Sequence, residues 1–395
     1  MSALFHSYLC GRNAAEWLIR MKRVLHVVSC LERGGTEAFI MNHYRVIDRT
    51  KYQFDFLVLH EKEYPYAKEI QSLGGKIYFV CAPSINCISK FLKQAIALMK
   101  CGGYCAVHSH LNIENAWILV AARIAGIPVR ISHSHDTVGK SGNIPVRMYK
   151  KIQECLIKKF ATDFLACSED AGNYLYGKAF FLKHGKVIHN GIDTTKFLQV
   201  HSDEVKALRR EFNLPAKTGP IIGNITRFEP KKNQLFVLEI FRAFLMTNPH
   251  AILILGGPDG GNLAQVKKHA QELEIEDHIR FIGPRDDVPA CLHLLDVYLF
   301  PSIYEGLGIV LLEAQAAGCY CVASTGVSCE SDIGINLVSY LELSKPAELW
   351  AEEISFCLND RVHPSQENIN SAFLASGFDI CQSIKELVKV YDHQI

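Results

Sequence analysis

The sequence of 395 residues has no apolar run of the roughly 18 residues that a membrane-crossing helix needs. Its longest apolar stretches are interrupted by Arg123, Glu305 and Glu313. Residues 1–21 lack the apolar core of a signal peptide and read as an N-terminal extension. We therefore expect a cytoplasmic protein, and leave open a peripheral contact with the inner face of the plasma membrane.

The 14 cysteines form no C-x-x-C pair, so the sequence gives no support for a structural zinc site. Scattered cysteines without a secretion signal are typical of reduced thiols in the cytosol. Cys291, Cys357 and Cys381 stand among apolar residues, where cysteine behaves as a small hydrophobic side chain. We expect these thiols to be buried.

Two ligand-binding motifs are also missing. No D-x-D triplet occurs, although paired carboxylates of this kind commonly hold a metal ion on a diphosphate. G-x-G-x-x-G is absent too, which argues against dinucleotide binding. The sequence thus predicts no cofactor and no metal ligands.

Charge is unevenly spread along a chain whose 49% hydrophobic and 21% charged residues are ordinary for a globular protein. Residues 1–200 hold 26 Lys and Arg against 15 Asp and Glu, whereas 201–395 hold 16 against 26. The basic half suits an anionic membrane surface or a phosphorylated acceptor. Within it, 144–160 is a basic amphipathic helix that fits a membrane surface or a solvated face equally well.

Short β-branched runs alternate with helical patterns, which is typical of parallel sheets covered by helices on both faces. Strands are predicted at 24–29, 54–59, 76–80, 106–109, 129–133, 163–167 and 186–189. The pattern restarts with strands at 221–226, 251–256, 279–282, 297–301 and 320–323. The sequence predicts an α/β protein with two Rossmann-like domains, at 22–200 and 201–376, and a final helix within 377–395.

The most informative motif is the stretch 301–318, PSIYEGLGIVLLEAQAAG, in which a buried strand leads through a glycine-containing loop into a helix near Gly308. Unpaired amides and partial positive charge at a helix start suit a diphosphate, and Gly306 lets a ligand approach the backbone. Glu305 would reach a sugar, and Glu313 could accept hydrogen bonds from ribose hydroxyls. The alternative is a glycine-rich turn with surface glutamates.

A basic element, GNITRFEPKKN at 223–233, follows the first strand of the second domain. Arg227 could bind a diphosphate through two hydrogen bonds, and Lys232, preferred here over Lys231, could act as a point charge. Taken alone, this element reads equally well as a basic turn.

Three elements of the first half follow predicted strands. In the loop SCLERGGTE at 29–37, Gly34 and Gly35 precede Thr36, a candidate helix N-cap. Two H-S-H triplets, at 108–110 and 133–135, place alternate histidines on one strand face, where a pair could chelate a metal. For His108 a structural role is favoured over a functional one.

The motif around Glu305 and Glu313 resembles the E-x-x-x-x-x-x-x-E signature of family 4 retaining glycosyltransferases, especially the bacterial exopolysaccharide and capsule group. The resemblance extends over nearly the whole chain from Met21, and includes the string NGID at 190–193. It implies a GT-B fold, in which two Rossmann-like domains face each other across a cleft, and a last helix that crosses back to the first domain.

The resemblance also implies roles for individual residues. The expected catalytic residues are His110, Arg227, Lys232 and Glu305. The expected donor-binding residues are Gly34, Gly35, Arg227, Lys232, Glu305, Gly306, Leu307, Gly308, Ile309 and Glu313, with Leu307 in place of the family's usual Phe. Thr36, His133 and His135 are expected to face the acceptor.

By this resemblance the chain is expected to transfer a hexose or N-acetylhexosamine, with retention and without a metal, from a nucleotide sugar such as a UDP-sugar. The acceptor would be a glycan or a polyprenyl-diphosphate-linked glycan, and no nucleic-acid partner is expected. Two alternatives remain, a nucleotide-sugar epimerase of the same fold and a histidine-ligated metal hydrolase. A non-catalytic sugar-binding protein is disfavoured because Arg227, Lys232, Glu305 and Glu313 are all present.

Overall fold

A computed structural model describes residues 21–32, 34–83, 87–136, 144–198, 200, 202–215, 218–360 and 362–392. The predicted extension at 1–21 lies outside this range except for Met21. The described helices are α1 (Gly35–Val46), α2 (Ala67–Ser72), α3 (Ile88–Gly102), α4 (Asn115–Ala125), α5 (Ile144–Phe160), α6 (Glu169–Tyr176), α7 (Lys178–His184), α8 (Thr195–Leu198), α9 (Ser202–Glu211), α10 (Gln234–Leu245), α11 (Leu263–Glu272), α12 (Val288–His293), α13 (Ile309–Ala316), α14 (Ala347–Asp360), α15 (Gln366–Ser376) and α16 (Ile380–Asp392).

The first half forms a seven-stranded sheet in the order β3-β2-β1-β4-β5-β6-β7. Its strands are β1 (Lys22–Val28), β2 (Tyr52–Val58), β3 (Ile77–Phe79), β4 (Tyr104–Ser109), β5 (Val129–Ser134), β6 (Asp163–Ala166) and β7 (Gly185–Val187). All neighbouring strands are parallel. Each of the seven coincides with a predicted strand to within about two residues.

The second half forms a six-stranded parallel sheet in the order β10-β9-β8-β11-β12-β13. Its strands are β8 (Ile221–Ile225), β9 (Ile252–Gly256), β10 (Ile279–Gly283), β11 (Val297–Phe300), β12 (Tyr320–Ser324) and β13 (Val338–Leu341). Strand β13 is not among the strands predicted from the sequence. This edge strand is only partly buried and four residues long, so its apolar signal is weak.

Both sheets are covered by apolar helices on their two faces, as the alternation of strands and helices predicts. The order of each sheet reverses direction beside its first strand, between β1 and β4 and between β8 and β11. In open parallel sheets, ligands bind at the carboxyl ends of strands next to such a reversal. The two reversal points face each other across a cleft.

The last helix, α16, returns to the first sheet. Its Leu387, Val390 and Tyr391 are buried in the same apolar cluster as strands β1 and β2. Where the chain crosses over, the amide of Ile192 donates to the carbonyl of Phe378 at 2.7 Å. The domain limits at 200 and 376 stay predictions, while these contacts couple α16 to the first sheet.

The described cysteines are all free thiols, as expected of reduced cysteines. Cys291 and Cys357 are buried, but the expectation for Cys381 was wrong, because this side chain is exposed. The buried face of the amphipathic α16 includes its neighbours Ile380 and Ser383, and Cys381 faces outward. None of the described helices combines the length and apolarity needed to cross a membrane.

Candidate active site

The cleft between the two sheets contains a cavity of about 980 Å³. Loops that follow β1, β5, β8 and β11 all contribute to its wall. The cavity is lined by the predicted residues Gly34, Gly35, Thr36, His135, Arg227, Lys232, Glu305, Gly306, Leu307, Gly308, Ile309 and Glu313. Residues as far apart in sequence as Gly34 and Glu313 therefore share one site.

An ion pair joins the two main motifs of the second domain. Nζ of Lys232 lies 2.6 Å from Oε1 of Glu305, and both side chains are mostly buried. Two hydrogen bonds hold their loops together: Ile303 N–H donates to the carbonyl of Lys231 at 2.8 Å, and the Asn233 amide group donates to the carbonyl of Pro301 at 3.1 Å. These loop contacts fix the lysine beside the glutamate.

Helix α13 begins at the cavity wall. Its N-cap is Gly308, whose φ of 76° is a left-handed conformation that glycine adopts without strain. The first amides of a helix have no partner within the helix and are free to bind an anion. Leu307, in contrast, turns its side chain into the apolar core and is 3% exposed, so a ligand would meet mainly its backbone.

Glu313, the fifth residue of α13, lines the same cavity. Among the described residues, its carboxylate accepts no hydrogen bond. Burial raises the pKa of Glu313 to about 7, and the charge of Lys196 opposes this only in part. The carboxylate is therefore available to accept hydrogen bonds from a ligand in the cavity, as the expected contact with ribose hydroxyls requires.

The loop before α1 corrects one local prediction. The N-cap is Gly34, and Thr36 is the second residue of the helix rather than its cap. The carboxylate of Glu37 folds back over Gly34, where an added Cβ would lie 2.5 Å from its Oε2. Burial raises the pKa of Glu37 to about 7, an effect that Arg227 across the cleft partly opposes. Glu37 is not among the site residues predicted from the sequence, although it belongs to the loop at 29–37.

The histidines of the H-S-H triplets do not all reach the cavity. His135 lines it. His110 and His133 lie deeper, with side chains that are 5% and 0% exposed, and are not among the described residues that line the cavity. Burial lowers the pKa of both. Direct contact of His133 with an acceptor does not fit this position. His110 instead supports His135, with Nδ1 of His110 2.9 Å from Nε2 of His135.

Several charged residues of the cavity were not in the predicted site. Asp136, Glu229 and Asp193 all line it, and Glu229 pairs with Arg227 at 3.3 Å. Glu229 and Asp193 lie within the motifs at 223–233 and 190–193, and Asp136 directly follows the triplet at 133–135, so position in or beside a strand-end motif was the available signal. Residue type alone gave no signal of a site, because single carboxylates are common on any protein surface.

Two family models match this chain, one in each of the two halves that form the two sheets. The model described as "Glycosyltransferase Family 4" matches residues 33–196. The model described as "Glycosyl transferases group 1" matches residues 205–372. EpsF of Bacillus subtilis is 36% identical over 378 residues, which cover 94% of this chain and 96% of EpsF. The chain belongs to glycosyltransferase family 4.

Other similarities agree with this assignment. The capsular polysaccharide biosynthesis glycosyltransferase CapH of Staphylococcus aureus is 26% identical, with 94% of this chain and 99% of CapH covered. Among solved structures, HepE of Anabaena in complex with UDP has a TM-score of 0.73 at 17% identity, covering 94% of this transferase and all of HepE. A glycosyltransferase of Rickettsia africae has a TM-score of 0.77 at 16% identity, covering 95% and 98% of the two chains. The predicted GT-B fold is confirmed.

Gly306 lies close to the first domain of this transferase, across the cleft. A Cβ added there would lie 2.5 Å from the backbone carbonyl oxygen of His135. We expect Gly306→Ala to hold the cleft open and to lower kcat/KM by roughly 10-fold to 100-fold, because a misplacement of about 1 Å has effects of this size.

Steady-state kinetics test this prediction, with thermal melting as the control. Because the clash lies between domains, the Tm should change little. A variant with full activity would mean that the working enzyme does not approach His135 this closely.

Proposed function

We propose that this glycosyltransferase moves a hexose or N-acetylhexosamine from a UDP-sugar to a glycan or a polyprenyl-diphosphate-linked glycan in surface polysaccharide synthesis. The observation that carries the proposal is the cavity in which Arg227, the Lys232–Glu305 pair, the start of α13 and Glu313 meet. Together they offer cations for a diphosphate and a carboxylate for a ribose.

Support for the donor comes from HepE, which has been solved with UDP and with UDP-glucose. Support for the acceptor comes from a 28% identical Escherichia coli enzyme, with 76% of this chain and 79% of that enzyme covered. That enzyme is named for transfer from UDP-Gal to α-D-GlcNAc-diphosphoundecaprenol. The relatives named here are transferases, which disfavours both the epimerase and the hydrolase.

Transfer is proposed to need no metal on the diphosphate. Arg227, Lys232 and the amides that start α13 supply fixed positive charge where the leaving phosphate gains negative charge. Fixed groups of this kind cost no reorganisation during the reaction, so a divalent cation becomes unnecessary. Turnover that persists after addition of chelator supports this point, and turnover lost with chelator and restored by Mg²⁺ refutes it.

Retention at the anomeric carbon is proposed to result from front-face attack. The acceptor hydroxyl would attack from the side of the leaving phosphate, and that phosphate would take the acceptor proton. Glu305 beside Lys232 would stabilise positive charge on the sugar ring, while Lys232 and Arg227 stabilise the departing diphosphate. NMR of the product linkage tests this, since an inverted anomeric centre contradicts the proposal.

The donor site is tested first by thermal melting with UDP, GDP, ADP and their common sugars, all with chelator present. Stabilisation by one nucleotide that is lost in Glu313→Ala and Arg227→Ala is the expected result. Absence of any shift would contradict nucleotide binding while leaving the family assignment untouched. Transfer to a GlcNAc-diphospholipid or to a free glycan then distinguishes the two acceptor classes.

Membrane contact through α5 is proposed because the acceptor would carry a lipid. Met148 and Ile152 are 63% and 53% exposed, and Lys151 and Lys159 lie exposed on the same helix. Apolar side chains flanked by lysines favour insertion at an anionic surface.

Vesicle sedimentation with phosphatidylglycerol tests this contact. We expect the double variant Met148→Glu/Ile152→Glu to weaken binding by about 10-fold or more, since it removes two apolar contacts and adds two like charges. Met246, 83% exposed near the end of α10, provides the matched control Met246→Glu. Equal binding of wild type and double variant would refute a role for α5.

A further inference from the structure

The two H-S-H triplets lie at the carboxyl ends of the adjacent parallel strands β4 and β5, with His110 and His135 one residue beyond them, and the strands pair in register from Ala106 to Ser109. His108 and His110 therefore share one face of the sheet with His133 and His135. His26 of β1 joins them, since its ring centroid is 5.3 Å from that of His110. These five side chains form a histidine cluster beneath the cleft, and the proposed transfer reaction uses at most its outer edge.

Hydrogen bonds connect the histidine cluster from within. Nε2 of His108 lies 2.9 Å from Nδ1 of His133, and Nδ1 of His108 lies 3.0 Å from the hydroxyl of Tyr391. On the other side, Nδ1 of His26 lies 3.0 Å from Nε2 of His110. Nε2 of His133 takes part in none of these hydrogen bonds. It is buried and has no hydrogen-bond partner among the described residues.

The imidazole of His133 also belongs to a compact set of three side chains. His110, His133 and His135 each offer one ring nitrogen, and the three atoms lie within 4.8 Å of one another. The rings of His133 and His135 stack with centroids 4.1 Å apart. Two imidazoles from alternate residues of a strand and a third from the next strand converge as the ligands of one metal ion do.

We propose that His110, His133 and His135 form a binding site for a divalent transition-metal ion of the Zn²⁺ class. Imidazole nitrogen is a preferred ligand of Zn²⁺, Co²⁺, Ni²⁺ and Cu²⁺. A metal ion bound there would give the unpartnered Nε2 of His133 a partner and would replace the hydrogen bond between His110 and His135. The site is separate from the diphosphate-binding groups, so the proposal does not rest on the metal requirement of the transfer reaction.

The surroundings of the three ligands suit a metal ion. Nδ1 of His133 contacts His108, which in turn contacts Tyr391, and such outer hydrogen bonds orient a metal-bound imidazole. His135 lines the cleft, so an ion could reach the three ligands from that side.

Titration of the chelator-treated full chain with Co²⁺ tests the proposal without an activity assay. We expect one Co²⁺ per chain, with the visible absorption of a tetrahedral site, displaced by Zn²⁺. His133→Asn and His135→Asn should each weaken binding by more than about 100-fold, since loss of even an outer partner costs 10-fold to 100-fold. His184→Asn, at an exposed histidine of α7, is the matched control and should bind as the wild type does.

Circular dichroism confirms that each variant is folded, and the partly exposed His135 keeps the test valid if His133→Asn unfolds. Absence of the Co²⁺ bands in the wild type would overturn the proposal. So would binding that survives His135→Asn but is lost in His26→Asn, because His26, His108 and His110 form a second, deeper set within 4.8 Å.

Discussion

Replacing Lys232 by alanine is expected to lower kcat about 100-fold to 1,000-fold, the loss typical of removing one fixed group that stabilises transition-state charge. Lys232 lies 2.6 Å from Glu305 and faces the cavity where the leaving diphosphate is proposed to bind. Its positive charge matters most as the bond to the phosphate breaks. The measurement is kcat from nucleotide release, at saturating donor and acceptor.

The neighbouring lysine provides the matched control. Lys231 lies over the ring of Tyr304 with its Nζ 5.7 Å from the ring centroid, and among the described residues we find it in no ion pair. Lys231→Ala should therefore lower kcat by about threefold or less. Equal losses in the two variants would mean that the general positive potential matters, and not the position of Lys232. Glu305→Gln tests the contribution of the carboxylate by itself, because it removes the negative charge of Glu305 and leaves Lys232 in place.

Glu313→Ala is expected to raise KM for the donor by roughly 10-fold to 100-fold, with a smaller change in kcat. A hydrogen bond to a charged group contributes about 1.5–3 kcal/mol, which corresponds to this range. The ribose is remote from the reacting bond, so its contact with Glu313 is the same in the ground state and in the transition state. Losing that contact weakens donor binding equally in both states, which raises KM and leaves kcat nearly unchanged. Steady-state kinetics measure it, and a loss confined to kcat would contradict the assigned contact.

The raised pKa of Glu313 also predicts how stability depends on pH. Its folded-state pKa of about 7 exceeds the ordinary 4.5, so the folded chain holds this proton more tightly than the unfolded chain does. The stabilisation is full below pH 4.5 and is lost as pH rises through about 7. Donor binding should show the opposite trend, because ribose hydroxyls donate to the ionised form.

Glu313→Gln isolates this titration. Its Tm should fall less than that of the wild type between pH 5 and pH 8, whereas the raised pKa of Glu37 affects both proteins alike. KM for the donor should decrease with pH in the wild type and stay flat in the variant. Parallel Tm profiles for the two proteins would assign the pH dependence to other groups.

The sequence by itself predicted the two sheets, because buried parallel strands are short apolar runs whose signal is local. It also predicted the helix start at Gly308 and the glutamates at 305 and 313, because a strand, a glycine-containing turn and a helix follow directly in the chain. The missed strand β13 and the exposed Cys381 mark where this reasoning fails. Partial burial weakens a local pattern, and the outward face of a helix depends on what packs against it.

Only the tertiary structure decided how distant side chains meet. It gave Lys232 and not Lys231 as the partner of Glu305, because loop hydrogen bonds to Pro301 and Ile303 set the direction of each side chain. It separated His135 from His110 and His133 by depth, although the triplets look alike in sequence. The order of residues along the chain determines which groups follow each strand. The order of strands in each sheet and the spacing of the two domains determine the distances between these groups, and their chemistry depends on those distances.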